Sequence, residues 1–116
     1  MSLTITDHDV IGYYRVVEAK DEAGFHAIVA IHNINSGPAM CGCRVWSYDS
    51  YEDHLQDALR LAEGMTYKNA LAGLKFGGGK ATINAPKATA EVLDKFAEVM
   101  EQITNCLLYT SPSPRD

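Results

Sequence analysis

Apolar positions recur along this chain with two different periods. Residues 11–18 (IGYYRVVE) and 25–31 (FHAIVAI) are β-branched and aromatic runs separated by Asp21-Glu22-Ala23-Gly24. Gly24 supplies the positive φ that a tight turn requires, so the two runs predict a β-hairpin. Residues 33–38 (NINSGP) have the composition of a loop, and residues 43–46 read as a further short strand. The period then lengthens. Leu55, Ala58, Leu59, Ala62, Met65 and Asn69 follow at spacings of three and four, which is one face of a helix of roughly 20 residues. Ser50, with Asp53 three residues on, supplies its N-cap, and Gly73 marks its end. Ala81-Thr82-Ile83 is strand-like and Pro86 closes it. Thr89 caps a second helix whose apolar face is Val92, Leu93, Phe96, Val99, Met100 and Ile103. The order strand, strand, helix, strand, helix predicts an α/β fold with no internal repeat.

The end of the chain follows neither period. Residues 106–116 (CLLYTSPSPRD) carry two Ser-Pro pairs and are expected to be disordered. The string is similar to a translated sequencing-library adapter. That likeness implies that the natural protein continues beyond about residue 105 and that the tail has no function. The organised unit is then one incomplete domain, residues 1–105.

Composition narrows the function. A chain of 116 residues that is 47% apolar and 22% charged suits one packed domain. The net charge is −5 and the ten basic residues are scattered, which excludes a nucleic-acid surface. No apolar run approaches the ~18–20 residues of a membrane span, and the N-terminus has neither a basic nor an apolar leader region, so a cytoplasmic protein is expected. Cys41, Cys43 and Cys106 form no disulfide framework and lack the spacing of a metal site.

The chemistry concentrates in Met65-Thr66-Tyr67-Lys68-Asn69-Ala70 and Gly77-Gly78-Gly79-Lys80. Lys68 stands near the end of the first helix. Lys80 follows three glycines, expected to form a loop that lets a ligand approach closely. Two lysines brought together there make a cationic pocket. Each depresses the pKa of the other, so one serves as a general base while the other pairs with a carboxylate. Lys75, Lys87 and Lys95 are expected to be solvated surface charges. A phosphate loop ending in Gly79-Lys80 fails, because it needs glycine at Leu74 and Ser or Thr at Ala81. The dinucleotide signature G-x-G-x-x-G is absent as well, so no cofactor-binding residue is assigned.

Read from Asp57 to Ile83, DALRLAEGMTYKNALAGLKFGGGKATI resembles the glutamate/leucine/phenylalanine/valine dehydrogenase family, in its leucine and phenylalanine branch. The likeness extends from about residue 11 to residue 105. It implies a mixed-sheet, three-layer N-terminal domain that binds substrate and mediates homo-oligomerisation. It also implies oxidative deamination of an L-amino acid to a 2-oxo acid and ammonia, with hydride passing to NAD. In that scheme Lys68 holds the substrate α-carboxylate, with Met40, Gly42 and Met65 around the substrate. Lys80 is catalytic and activates the attacking water, and Gly77, Gly78 and Gly79 let the chain pack closely around the substrate. Met40 stands where the glutamate branch has a lysine. An apolar thioether there implies an aliphatic or aromatic substrate side chain, because a buried unpaired carboxylate is costly. The chain departs from the family at Cys41, where a second glycine is usual. The family's catalytic aspartate and dinucleotide-binding domain lie beyond these residues, so the fragment itself is expected to be inactive. The contrasting reading is a stand-alone oligomerisation or binding module without catalysis.

Overall fold

The structure, a computed structural model, describes residues 3–103 and 107–109, with the backbone alone at 40, 41 and 107–109. The elements in chain order are β1 (Thr4–His8), β2 (Arg15–Lys20), β3 (His26–Asn33), β4 (Ala39–Trp46), α1 (Tyr51–Leu71), β5 (Gly77–Asn84), α2 (Ala90–Gln102) and β6 (Leu107–Tyr109). The strands form one sheet in the order β1-β2-β3-β5-β4-β6. The pairs β1–β2, β2–β3 and β3–β5 are antiparallel, whereas β4 runs parallel to both β5 and β6.

Connection geometry explains the layering. The crossover β4-α1-β5 steps one way across the sheet, and β5-α2-β6 steps back the other way. Crossovers between parallel strands are right-handed, so opposite steps put the two helices on opposite faces. The core divides accordingly. Ala27, Val29 and Ile31 of β3 join Phe96, Val99, Met100 and Ile103. Ile28 and Ala30, on the alternate face, join Ala58 and Ala62 of α1. Covered on both sides, β3 is apolar and buried at five consecutive positions, 27–31, rather than at every second one.

Both expected helix caps form. Ser50 accepts the Asp53 amide, and Thr89 accepts the Val92 amide. Gly73, at φ +71°, turns the chain out of α1 in a conformation that a side chain would disfavour.

Several expectations are corrected. Gly77, Gly78 and Gly79 are not a loop: they open β5 in the middle of the sheet. Gly77 and Gly78 are small because neighbouring segments crowd them on both faces of the strand. A Cβ on Gly77 would stand 1.7 Å from the Asn33 carbonyl oxygen, and one on Gly78 would stand 2.2 Å from the Thr66 amide nitrogen. The first hairpin strand starts at Arg15 rather than residue 11, because the Tyr13 amide bonds back to Val10 O and closes a turn. The strand expected at 43–46 extends from Ala39, and β1 is an additional edge strand. Lys95 is not a solvated charge. Its side chain is 12% exposed, and the ammonium stands 2.7 Å from the carboxylate of Asp21, whose side chain is nearly buried. The tail, expected to be disordered, places Leu107–Tyr109 in β6 alongside Ala39–Cys41; residues 106 and 110–116 lie outside the described residues.

Candidate functional site

The two lysines singled out from the sequence line one cleft of 190 Å³, together with Arg60, Leu61, Gly64 and Met65. Two elements build it. β5 alternates its side chains, so Gly78 and Lys80 face α1 while Gly79 faces the other layer. A side chain at Gly78 would strike Thr66 and the Ala62 carbonyl, which shows how closely α1 lies on this strand. That contact carries Met65 and Lys68 over Lys80. Lys80 is 7% exposed, whereas Lys68 stands at the mouth, exposed.

Strand β4 runs beside Lys80. Gly42 of β4 is paired in register with Lys80 and is buried. Met40 is in register with Gly78, and its side chain lies outside the described residues. Cys41 stands in register with Gly79 in an extended strand. No described residue other than glycine has a positive φ, so the cysteine imposes no left-handed backbone.

Arg60, Leu61 and Gly64 were not singled out from the sequence. Their signal is the spacing of four that joins Arg60, Gly64 and Lys68 along one flank of α1, with Leu61 and Met65 beside it. Arg60 donates to Asp57 at 2.6 Å, and Arg44 approaches the same carboxylate at 3.6 Å. Burial pushes the Asp57 carboxyl up, but hydrogen bonds from Tyr48 and Arg60 and the charge of Arg44 hold it below its ordinary value. Asp57 therefore stays charged and holds Arg60 at the rim. Among the described residues the cleft lining contains cations and apolar groups but no carboxylate. This combination suits a small anion with an apolar substituent: the ammonium groups attract the anion and Leu61 and Met65 face the substituent.

A second polar cluster, unanticipated, lies at the opposite end of α1. Glu18 accepts from His8 at 2.8 Å and from His26 at 2.6 Å. His26 meets the edge of His54, which stacks on Tyr48 with ring centroids 4.5 Å apart. His54 is completely buried, with Nε2 3.1 Å from the Thr82 carbonyl oxygen. Burial lowers its pKa from 6.5 to about 4, so it is neutral and donates from Nε2. Among the described residues no group of three or more His, Cys, Asp or Glu is arranged to hold a metal ion.

Against known proteins, residues 11–110 match the model of the Glu/Leu/Phe/Val dehydrogenase dimerisation domain. Leucine dehydrogenase of Bacillus cereus is 52% identical over 85 residues, covering 72% of this chain and 23% of that protein. Phenylalanine dehydrogenase of Caldalkalibacillus thermarum is 40% identical over 111 residues, covering 92% of this chain and 30% of that protein. Among solved structures, L-tryptophan dehydrogenase from Nostoc punctiforme superposes with a TM-score of 0.78 at 36% identity, over 84% of this chain and 30% of that one. The chain thus spans less than a third of the length of each of these relatives.

Proposed function

As the chain belongs to the Glu/Leu/Phe/Val dehydrogenase family, we propose that it is the substrate-binding and oligomerisation part of an enzyme that oxidatively deaminates an apolar L-amino acid. The observation that carries this is the meeting of Lys68 and Lys80 in one cleft with Leu61 and Met65 and, among the described residues, without an acidic lining residue. Lys68, exposed at the mouth, takes the α-carboxylate and orients the substrate. Lys80, enclosed against Gly42, sits at the reacting carbon. There it moves the proton of the attacking water and stabilises charge on the intermediate. Met40, beside Gly78 in register, and Met65 select an aliphatic or aromatic side chain of the leucine, valine or phenylalanine type.

The hydride acceptor is a nicotinamide dinucleotide, NAD, and the glycine run among the described residues does not fit it. A pyrophosphate site uses glycines at a strand-to-helix turn. Gly77 and Gly78 instead lie inside β5, packed against Asn33 and Thr66 of the same chain. Incubated alone with L-leucine and NAD, the chain is expected to produce no NADH. We place the protein in the cytoplasm as a homo-oligomer; no helix among the described residues is long and apolar enough to cross a membrane.

The site itself is testable on this chain. With lysine labelled at Cε with carbon-13, titration with 4-methyl-2-oxopentanoate should shift the Lys68 and Lys80 resonances and leave Lys75 and Lys87 unmoved. The Lys80→Ala variant should lose the Lys68 response as well. Equal shifts at all four lysines, or equal affinity for 2-oxoglutarate with its second carboxylate, refute the assignment.

A further inference from the structure

We propose that Asn69 is a positioning residue for the lysine pair: its side-chain amide sets Lys68 against Lys80 by tying α1 to the first residue of β5. The proposal rests on the two-lysine reading above. Asn69 follows Lys68 directly and is 4% exposed near the end of a helix whose neighbouring residues face solvent. Its Nδ2 donates to the Gly77 carbonyl at 2.9 Å. Its own carbonyl accepts the Leu74 amide at 2.9 Å. One residue therefore holds both the turn that leaves α1 and the strand that returns beneath it.

The attachment point is itself fixed. The Gly77 amide donates to Pro38 O at 3.1 Å, and Gly77 packs so tightly on Asn33 that no side chain fits. From there strand geometry carries the chain about 10 Å to Lys80, at roughly 3.3 Å per residue. Toward the other end of α1, His54 bonds to Thr82 O at 3.1 Å. The helix is thus joined to β5 at two carbonyls, Gly77 and Thr82, that bracket Lys80. His54 anchors the end away from the cleft, and Asn69 anchors the end that carries Lys68. An aspartate in place of Asn69 has nearly the same shape but turns a donor into an acceptor facing a carbonyl, which removes the tie. A serine is too short to reach across.

The test uses the carbon-13 lysine titration with 4-methyl-2-oxopentanoate on the wild-type chain, Asn69→Asp and Asn69→Ser. Val99→Ala is the control, because Val99 is buried on the α2 face and loses core packing without touching the cleft. Both Asn69 variants should keep the folded spectrum and bind the 2-oxo acid about ten-fold more weakly, the scale expected when a binding group is misplaced. Val99→Ala, although less stable, should bind like wild type. Wild-type affinity in either folded Asn69 variant overturns the proposal. So does an equal loss of affinity in Val99→Ala, or loss of the fold in both Asn69 variants, because Asn69 then contributes stability alone. Absence of any lysine response in the wild type overturns the two-lysine reading and this proposal with it.

Discussion

Acidification should destabilise this domain through one buried imidazole. His54 has no exposed surface, and burial brings its pKa from 6.5 down to about 4. Between those values the unfolded chain binds a proton that the folded chain does not. Stability therefore falls as the pH drops from 6.5 toward 4, and this group costs nothing further below that. At about 1.4 kcal/mol per unit the full loss is on the order of 3 kcal/mol, a large part of the net stability of a small domain. The comparison that isolates His54 is the His54→Gln variant, whose amide can still donate to the Thr82 carbonyl but does not titrate. Unfolding by urea, followed by circular dichroism at half-unit steps from pH 7 to 4.5, gives stability against pH for both proteins. The wild-type curve should be steeper by up to one proton, about 1.4 kcal/mol per pH unit, over the range from roughly 6 to 4.5. Parallel curves would refute the argument, because they would mean that His54 takes up its proton in the folded state.

Other substitutions test the packing. Gly78→Ala should cost about 1–3 kcal/mol in urea unfolding, because its Cβ would press on the Thr66 amide and the Ala62 carbonyl. It should also weaken 2-oxo acid binding by displacing α1 over Lys80, and an unchanged midpoint would show that the helix shifts without cost. Lys95→Met should lower the melting temperature and speed hydrogen exchange at the Ala23 and Phe25 amides, which both bond to Asp21 Oδ1. The Asp21 carboxyl is held below its ordinary value first by the hydrogen bond from Lys95. Without Lys95 its titration should move upward in carbon-13 carboxyl spectra, and an unmoved titration would remove Lys95 as the cause.

Much of this protein follows from neighbours in sequence. Helix periodicity and capping act within a few residues, so Ser50, Thr89 and Gly73 mark helix boundaries before any tertiary contact exists. The alternation of helices and strands was legible for the same reason, whereas Lys68 and Lys80 stood out as a pair through the motif that resembles the Glu/Leu/Phe/Val dehydrogenases. The motif carries them on adjoining elements. The glycine run was misread because glycine permits both a loop and close packing in a strand. Only the approach of Asn33 and Thr66 selects the second.

Tertiary structure decided whatever depends on segments distant in the chain. It put α1 and α2 on opposite faces, since that follows from strand order rather than from any helix's own sequence. It brought Gly42 beside Lys80 and paired Lys95 with Asp21. It buried His54 beneath Tyr48 and gave Asn69 a carbonyl to hold. A residue type sets what a side chain can donate, accept or bury. Which partner it meets is settled when the sheet closes and the helices lie down on it, because burial makes an unmet polar group costly and leaves few arrangements that satisfy them together.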